Sequence, residues 1–359
     1  MQYLGIDWAY RRAAWCAKNG GGDVLDEGVV PADEDGLAKL VLRLGTGVRA
    51  CVEMMSGAIW VRDRLRAAGW RVEVADARKV KGLAPLACKT DRVDARVLAE
   101  LCRRDLVPTV WLPSLDDRAL RERLNRRMHL VRMRTMARNR IHGVLTQWGL
   151  KIPVARLRRS DGLSVLETHG VPPVWRRSVV EALAVIDWLD GRIAPLEQEL
   201  MPLARADARV ALLQTIPGIG PLLGLTIAAE VGEIARFSSA RKLVGYAGLA
   251  PKVKQSGQSS RTGALSKAGS KALRWAAVEA AQQAWRETNP WHQLYRDVAR
   301  RHAKTNPGQG RGRPQGPDRR LARARARAAL SSRAPPTAAP IRSRQAPTFI
   351  WPPDGPQRN

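Results

Sequence analysis

Two aspartates three residues apart, Asp91 and Asp94, lie in the segment KTDRVDARVLAEL (89–101), where a helix is predicted to begin. One explanation is structural, because such a start resembles a capping box and carboxylates are favoured at the positive end of a helix dipole. On a helical wheel, however, Asp94 falls inside the apolar stripe of Val97 and Leu98, with Asp91 at its edge. We therefore expect both to point toward the protein body, where an unpaired carboxylate is costly. An arginine partner or a bound cation would remove that cost.

Two further carboxylates stand at the ends of predicted strands. Asp7 ends a strand over 2–8, and Glu53 ends a later strand just before a Ser-Gly pair. Strand ends and helix starts can meet at one rim of a sheet, and four carboxylates that meet cannot all stay charged and unpaired. Two Mg²⁺ ions would satisfy them, in the two-metal arrangement used for phosphoryl transfer. Surface ion pairs with the abundant arginines are the alternative that spacing alone leaves open.

Net charge is the strongest global signal. The 359 residues carry 61 Lys and Arg against 33 Asp and Glu, a formal charge of +28. Such a surface favours a polyanionic partner, most often nucleic acid. Charge alone gives affinity without specificity, so it indicates a class of partner and no reaction.

Composition also excludes several classes of protein. The sequence contains no run of 18 apolar residues, so no membrane span is predicted. The start MQYLGIDWAY does not resemble a secretory signal. The four cysteines are scattered without a C-x-x-C pair, so neither zinc nor a disulfide framework is expected. We therefore expect a cytoplasmic protein with no membrane partner.

The elements that must position these side chains fall into three predicted domains and a tail. Residues 1–110 read as strands in a meander and then strands alternating with helices, which is typical of an α/β domain. Residues 111–207 read as two long helices, coiled-coil-like and rich in arginine. They predict an antiparallel hairpin or an oligomerisation arm, with a helical spacer as the alternative.

Residues 208–307 are predicted to be mostly α-helical. The stretch LLQTIPGIGPLLGLTIAAEVGEI suggests a helix-hairpin-helix-like unit, in which Gly218 and Gly220 would let backbone N–H groups approach a phosphate. A tight helix–helix turn without a ligand is the alternative. A basic loop rich in Gly and Ser follows, and then another helix.

Residues 308–359 have a different character. They contain eleven arginines, no lysine and two aspartates, with no apolar period, so a disordered basic tail is predicted. Such composition is also what a GC-rich gene yields when read out of frame. We therefore expect this tail to be dispensable, with a basic tail that grips RNA as the competing account.

Five segments together resemble a known family. They are GIDWAYRRAAWCA, CVEMMSG, KTDRVDARVLAEL, TIPGIGPLLGLTIAAEVG and YAGLAPKVKQSGQSSRTGALSKAGSKALR. In this order they are similar to the DEDD transposases of the insertion sequence 110 family, over about residues 1–305.

The resemblance implies a RuvC-like, RNase H-fold first domain, a helical middle and a C-terminal transposase domain. It carries the DEDD metal site onto Asp7, Glu53, Asp91 and Asp94, and the catalytic serine onto Ser256 in KQSG. Members of this family are recombinases guided by a bridge RNA that pairs with donor and target DNA. They act as tetramers, with sites shared between protomers.

A serine fits that chemistry, because its weak hydroxyl nucleophile can be activated beside metal ions. A covalent serine–DNA phosphodiester conserves the energy of the DNA bond that was broken, so strands can exchange and reseal without ATP. Basic residues around the serine could hold phosphates: Lys252, Lys254, Arg261, Lys267 and Arg274. Two alternatives remain, a RuvC-like nuclease such as a Holliday-junction resolvase, and a decayed nucleic-acid-binding copy. The nuclease would attack with water and would not need Ser256.

Overall fold

The chain divides into two compact units, Met1–Leu112 and Pro113–Asn359. The computed structural model describes the backbone of residues 1–83, 90–256 and 259–305, and their side chains except at 254–256, 259–262 and 301–305. The predicted basic tail therefore lies outside the described residues. In the described part of the chain, no helix is long and apolar enough to cross a membrane.

The first unit is a mixed α/β fold, as the sequence predicts. Its strands are β1 (Gln2–Trp8), β2 (Arg12–Lys18), β3 (Val24–Pro31), β4 (Val48–Glu53) and β5 (Arg71–Ala75). Its helices are α1 (Glu34–Leu44), α2 (Ala58–Ala67), α3 (Ala77–Leu83) and α4 (Asp91–Arg103).

These strands form one sheet in the order β3-β2-β1-β4-β5. The first three strands are an antiparallel meander, whereas β4 and β5 run parallel to β1. The central strands are apolar on both faces because helices cover both. On one face, Leu4, Ile6 and Trp8 of β1 pack with residues of α1 and α2 in the main core.

The opposite face of the sheet is covered by α4, which lies directly on β1. A Cβ atom on Gly5 would come within 2.0 Å of the Ala95 carbonyl oxygen and 2.3 Å of the Ala99 nitrogen. Glycine is required here because the helix backbone occupies the space of a side chain. Alanines at 95 and 99 keep the helix thin at the same point, and both are fully buried.

We predict that Gly5→Ala destabilises the first unit by more than about 3 kcal/mol, because α4 must lift off the sheet to admit a methyl group. Urea unfolding followed by far-UV circular dichroism measures the change. Gly20→Ala is the matched control, since a Cβ there meets no atom within 4 Å. Equal midpoints for the two variants would contradict this packing.

The second unit begins with a long helical hairpin. Its helices are α5 (Leu115–Gln147), α6 (Val154–Leu157), α7 (Ser164–Thr168) and α8 (Pro173–Ala206). Arg127 of α5 pairs with Glu197 of α8, while Arg134 pairs with Asp190 at 2.6 Å. Because later residues of α5 meet earlier residues of α8, the two helices are antiparallel, so the predicted hairpin is confirmed.

The rest of the second unit is mostly helical. Its helices are α9 (Ala208–Gln214), α10 (Pro221–Val231), α11 (Ala240–Tyr246), α12 (Lys271–Ala281) and α13 (His292–Thr305), with short 3₁₀ helices at Ile234–Arg236 and Gln282–Trp285. The stretch predicted as a basic loop contains an antiparallel pair, β6 (Pro251–Ser256) and β7 (Ser259–Leu265). The loop prediction is therefore wrong for these residues: with so few apolar side chains, the stretch shows no strand pattern in its sequence.

Candidate active site

Asp7 and Glu53 lie side by side at one rim of the sheet. β1 and β4 are parallel, with Ile6 opposite Val52. The next residues along the two strands, Asp7 and Glu53, are therefore neighbours as well. Side chains alternate between faces along a strand, so Asp7 faces the same way as Gly5, toward α4. Glu53 faces the same way as Cys51, which packs with Leu98 of α4. Both carboxylates are half-buried.

The first turn of α4 is level with this rim. Glu100, in the second half of α4, reaches Lys18 at the far end of the sheet, opposite Tyr3 of β1. The helix therefore runs antiparallel to β1. Ala95 is the residue of α4 that contacts Gly5, and Asp91 lies about 6 Å before it along the helix axis. Asp7 lies about 7 Å along β1 from Gly5. The two aspartates of α4 thus approach the end of the sheet that carries Asp7 and Glu53.

Capping does not explain the two aspartates of α4. The N-cap is Thr90, whose hydroxyl accepts a hydrogen bond from the Val93 N–H at 3.3 Å. Asp91 and Asp94 are the first and fourth residues of the helix, so the interpretation of Asp91 and Asp94 as a capping box is wrong. Thr90 caps the helix instead.

Burial separates the two aspartates of α4. Asp94 is half-buried, whereas Asp91 is exposed. The expectation that both point into the protein body is therefore wrong for Asp91, because α4 contacts the sheet mainly through Ala95, Leu98 and Ala99, beyond its first turn. Among the described residues, no group of three or more His, Cys, Asp or Glu side chains could hold a metal ion. The close convergence of all four carboxylates stays a prediction.

Glu100 and Glu27, two carboxylates of the first unit, are bound to arginine or lysine. Glu100 accepts hydrogen bonds from Arg103 and Arg104 at 2.6 Å and from Lys18 at 2.8 Å. These cations hold the pKa of Glu100 well below its usual range, with Arg103 the largest cause. Hydrogen bonds from Arg96 likewise lower the pKa of Glu27 on β3. The pairs of Glu100 with Lys18 and of Arg96 with Glu27 fix α4 against β2 and β3.

We predict that Glu100→Gln lowers the free energy of unfolding by about 1 kcal/mol at neutral pH. The pKa of Glu100 is lower in the folded than in the unfolded state, so its contribution is present above the unfolded pKa and is lost as the pH falls through the folded value. The difference in free energy of unfolding between wild type and variant should therefore shrink below about pH 4. Glu34→Gln, which removes an exposed partner of Arg64, is the control and should change little. A difference independent of pH would refute the ionic contribution.

The described cysteines are packed thiols. Cys16, Cys51 and Cys102 are buried and free of disulfides. Burial raises the pKa of Cys102 to about 12, and burial likewise raises the pKa of Cys51. Thiols held in the neutral form are poor nucleophiles.

The predicted nucleophile lies at the end of the β6–β7 hairpin. Ser256 is the last residue of β6, and its backbone pairs with that of Ser259, the first residue of β7. The Ser256 side chain is outside the described residues, as are the side chains of Lys254 and Arg261. The structure therefore gives the position of this serine in the hairpin and not its contacts.

The base of this hairpin is tightly packed. A Cβ on Gly269 would lie 2.0 Å from the Tyr246 carbonyl oxygen, and Gly269 has φ +134°. Gly248 is also closely packed, since a Cβ there would lie 2.5 Å from the Arg274 Nη1 atom and 3.0 Å from the Ala268 nitrogen. Arg274 donates to the Ala247 carbonyl at 3.1 Å. This predicted phosphate contact thus also has a structural role at the base of the hairpin, which sequence reasoning missed.

Two other predicted phosphate contacts have described side chains. Lys252, on β6, is exposed. Lys267 is also exposed and has a left-handed backbone, with φ +52°, in the turn that closes the base of the hairpin. Both are available to solvent beside the hairpin.

The two helices predicted on either side of the turn with Gly218 and Gly220 are present as α9 and α10. Gly218 has φ +97°, and a Cβ there would lie 2.7 Å from the Ala280 carbonyl oxygen, so packing explains this glycine. Gly220 is the N-cap of α10, with φ −86°. Neither its conformation nor its neighbours require glycine, since a Cβ would meet nothing within 4 Å.

Comparison with known proteins identifies the family. The model of the transposase IS116/IS110/IS902 family matches residues 210–296, and a transposase model for the DEDD transposases of IS110 matches residues 4–149. The chain belongs to this family of transposases. Transposases cleave and recombine DNA, so the chain is an enzyme of that class. Both candidate regions of this transposase fall inside matched segments: the four carboxylates in the first, and the hairpin with Ser256 in the second.

Individual relatives agree with this assignment. The transposase is 29% identical over 233 residues to a probable family 20 transposase of Pseudomonas aeruginosa, covering 63% of this chain and 68% of the relative. It is 30% identical over 197 residues to the transposase for insertion sequence element IS1111A of Coxiella burnetii, covering 54% of each. It is 28% identical over 234 residues to the transposase for IS1328 of Yersinia enterocolitica, covering 64% of this chain and 69% of the relative. The chain thus spans about half to two thirds of these relatives.

Proposed function

We propose that this transposase moves an insertion sequence by RNA-guided cleavage, strand exchange and religation of DNA, using a DEDD metal site and a serine–DNA intermediate. The observation that supports this most directly is the placement of Asp7 and Glu53 as neighbours on one face of the sheet, with the first turn of α4 at the same end. Carboxylates gathered at one rim are the donors that phosphoryl transfer requires.

The fold of the first unit supports a RuvC-like assignment. An antiparallel meander followed by two parallel strands places the carboxyl ends of β1 and β4 together at one rim. In open α/β sheets, ligands bind beyond the carboxyl ends of such strands. We therefore propose an RNase H-type domain with its active site at this rim.

The rim residues fit a divalent cation by the chemistry of their donors. Asp7, Glu53, Asp91 and Asp94 offer only carboxylate oxygens, the ligands that Mg²⁺ prefers, and leave room for water and phosphate oxygens. We propose that these four residues hold Mg²⁺, which would stabilise the charge on the attacking and leaving oxygens of a phosphodiester. Half-burial of Asp7, Glu53 and Asp94 would strengthen their electrostatic interaction with a cation relative to bulk water.

Ser256 is proposed to act as the nucleophile. Its hydroxyl oxygen would form a bond to the phosphorus of the scissile phosphodiester while one ester bond to the DNA chain breaks. The serine gives up its proton, and the departing sugar oxygen takes one. Attack by the hydroxyl of an exchanged strand then reverses these changes and frees the serine. The backbone of Ser256 ends β6, and the packed base holds the hairpin in place.

Three parts of this proposal rest on the family resemblance. They are the bridge RNA that pairs with donor and target DNA, a homotetramer with shared sites, and phosphate contacts by the basic residues around Ser256. The charge of +28 supports nucleic-acid partners in general.

We predict that Asp94→Asn abolishes Mg²⁺-dependent recombination while duplex DNA binding stays within about twofold of wild type, because one ligand of the proposed metal site is lost and the basic residues proposed to contact phosphates are unchanged. Recombination of supercoiled donor and target plasmids, with the flanking element RNA present, measures activity. Asp23→Asn is the control, since Asp23 is exposed in the turn between β2 and β3. Full activity of the Asp94 variant would count against the metal site.

Ser256→Ala should abolish the covalent protein–DNA adduct, whereas Ser259→Ala should not. A denaturing gel of radiolabelled DNA after incubation with each variant measures the adduct. Ser259 is the matched control because it faces Ser256 across the hairpin. If the Ser256 variant still cleaves DNA in the presence of Mg²⁺, water is the nucleophile and the RuvC-like nuclease is the better description.

A further inference from the structure

Large apolar side chains are exposed around the rim where Asp7 and Glu53 lie. Tyr10 stands in the turn after β1 and is 95% exposed, the highest fraction for a large apolar side chain in the described part of the chain. Met54, directly after Glu53, is 38% exposed, and Trp60, near the start of α2, is 37% exposed. Apolar groups around a few polar ones are typical of a binding site.

The turn that carries Tyr10 has a fixed backbone. The Ala9 N–H donates to the Arg12 carbonyl at 3.0 Å, and the Ala32 N–H donates to the Arg11 carbonyl at 3.2 Å. Tyr10 is thus held between two anchored residues. Its Cα atom lies within about 10 Å of that of the β1 carboxylate residue, because the chain between them advances by only three residues.

The fold does not account for an aromatic ring at this position. A side chain that is 95% exposed buries almost no surface, so the Tyr10 ring adds little to the stability of the folded chain. Turns favour Gly, Pro, Asn, Asp and Ser, because these residues suit the turn backbone. The ring is therefore available for an external partner.

Trp60 borders the same rim and is anchored by the core. Its ring meets that of Trp8 edge to face, with centroids 5.8 Å apart and planes inclined by 62°. Trp8 is buried in the main core, so it holds Trp60 while part of the Trp60 ring stays exposed. Along β1, Trp8 faces the side opposite Asp7, because side chains alternate. An aromatic ring thus borders the rim on the face opposite the carboxylates.

A nucleobase is the partner that this surface fits. A phosphodiester held at the rim carries a nucleotide on each side, and these nucleotides bring their bases close to a side chain only three residues from Asp7. Bases stack on exposed aromatic rings in proteins that bind single strands, and such stacking tolerates any sequence because every base has a π-face. That tolerance suits an enzyme whose sequence specificity is proposed to come from a paired RNA.

We propose that Tyr10 stacks on the base of a nucleotide next to the scissile phosphodiester, with Trp60 as a second apolar surface at the rim. The stacked base fixes the DNA strand along its length and so places the phosphodiester over Asp7 and Glu53. The inference rests on the proposed function in locating the scissile phosphodiester at this rim.

The test compares wild type with Tyr10→Ala and Tyr10→Phe by fluorescence anisotropy. The probe is a labelled DNA duplex that spans one end of the insertion sequence, with the flanking element RNA present and Ca²⁺ in place of Mg²⁺ to keep the DNA intact. One base at a time is replaced by an abasic site. The cleaved bond is mapped separately on a denaturing gel with Mg²⁺.

At a base beside the cleaved bond, the abasic site should weaken binding of wild type and Tyr10→Phe about tenfold, because a stacked base is lost. The same abasic site should weaken binding of Tyr10→Ala less than about twofold, because that variant has no ring to lose. All variants should melt at the same temperature, since Tyr10 buries so little surface.

Leu42→Ala is the matched control, because Leu42 is 87% exposed on α1 and its loss should leave the abasic profile unchanged. A Tyr10→Ala profile equal to that of wild type would overturn the proposal. So would a Tyr10→Phe variant that behaves like Tyr10→Ala, because the ring and not the hydroxyl is proposed to stack. A coupled base remote from the cleaved bond would also overturn it.

This outcome is separate from the proposed reaction. A coupled base beside the cleaved bond, in a wild-type protein that cleaves DNA without forming a serine adduct, would keep the stacking and reject the serine chemistry. Adduct formation with equal abasic profiles for wild type and Tyr10→Ala would do the reverse.

Discussion

The contact between α4 and Gly5 is the constraint on which the first unit depends. Because Gly5 has no side chain, the backbone of α4 rests on β1 with the methyl groups of Ala95 and Ala99 beside it. That contact sets the height of the helix above the sheet, and the ion pair between Glu100 and Lys18 of β2 helps to fix its direction. Height and direction together bring Asp91 and Asp94 to the end of the sheet where Asp7 and Glu53 stand. A helix displaced by one side-chain layer would hold the same aspartates further from that end of the sheet.

Much of this arrangement could be predicted from the sequence, because strand ends and helix starts are local features. The strand that ends with Asp7, the strand that ends with Glu53 and the helix that begins near Asp91 all follow from apolar patterns and are confirmed. The cap was misassigned because Thr90 and Asp91 are both good N-cap residues, and only the hydrogen bond to Val93 distinguishes them. The exposure of Asp91 was missed because a helical wheel does not show where a helix first touches its sheet.

The second unit was harder to predict because its important features are made by backbone rather than by side-chain patterns. The β6–β7 hairpin has few apolar residues, and its base is fixed by close approaches at Gly248 and Gly269 that no period reveals. The two glycines of the PGIG turn look alike in sequence, yet packing requires Gly218 and leaves Gly220 in open space.

We propose that Asp7, Glu53, Asp91 and Asp94 form a divalent-metal site for phosphoryl transfer on DNA. The most direct test is a crystal structure of the full chain with DNA and Mn²⁺, with anomalous difference density used to locate the cation. We expect a peak within about 2.3 Å of carboxylate oxygens of Asp7 and Glu53 and of at least one aspartate of α4. Density without such a peak, with these carboxylates paired to arginine or lysine instead, would contradict it.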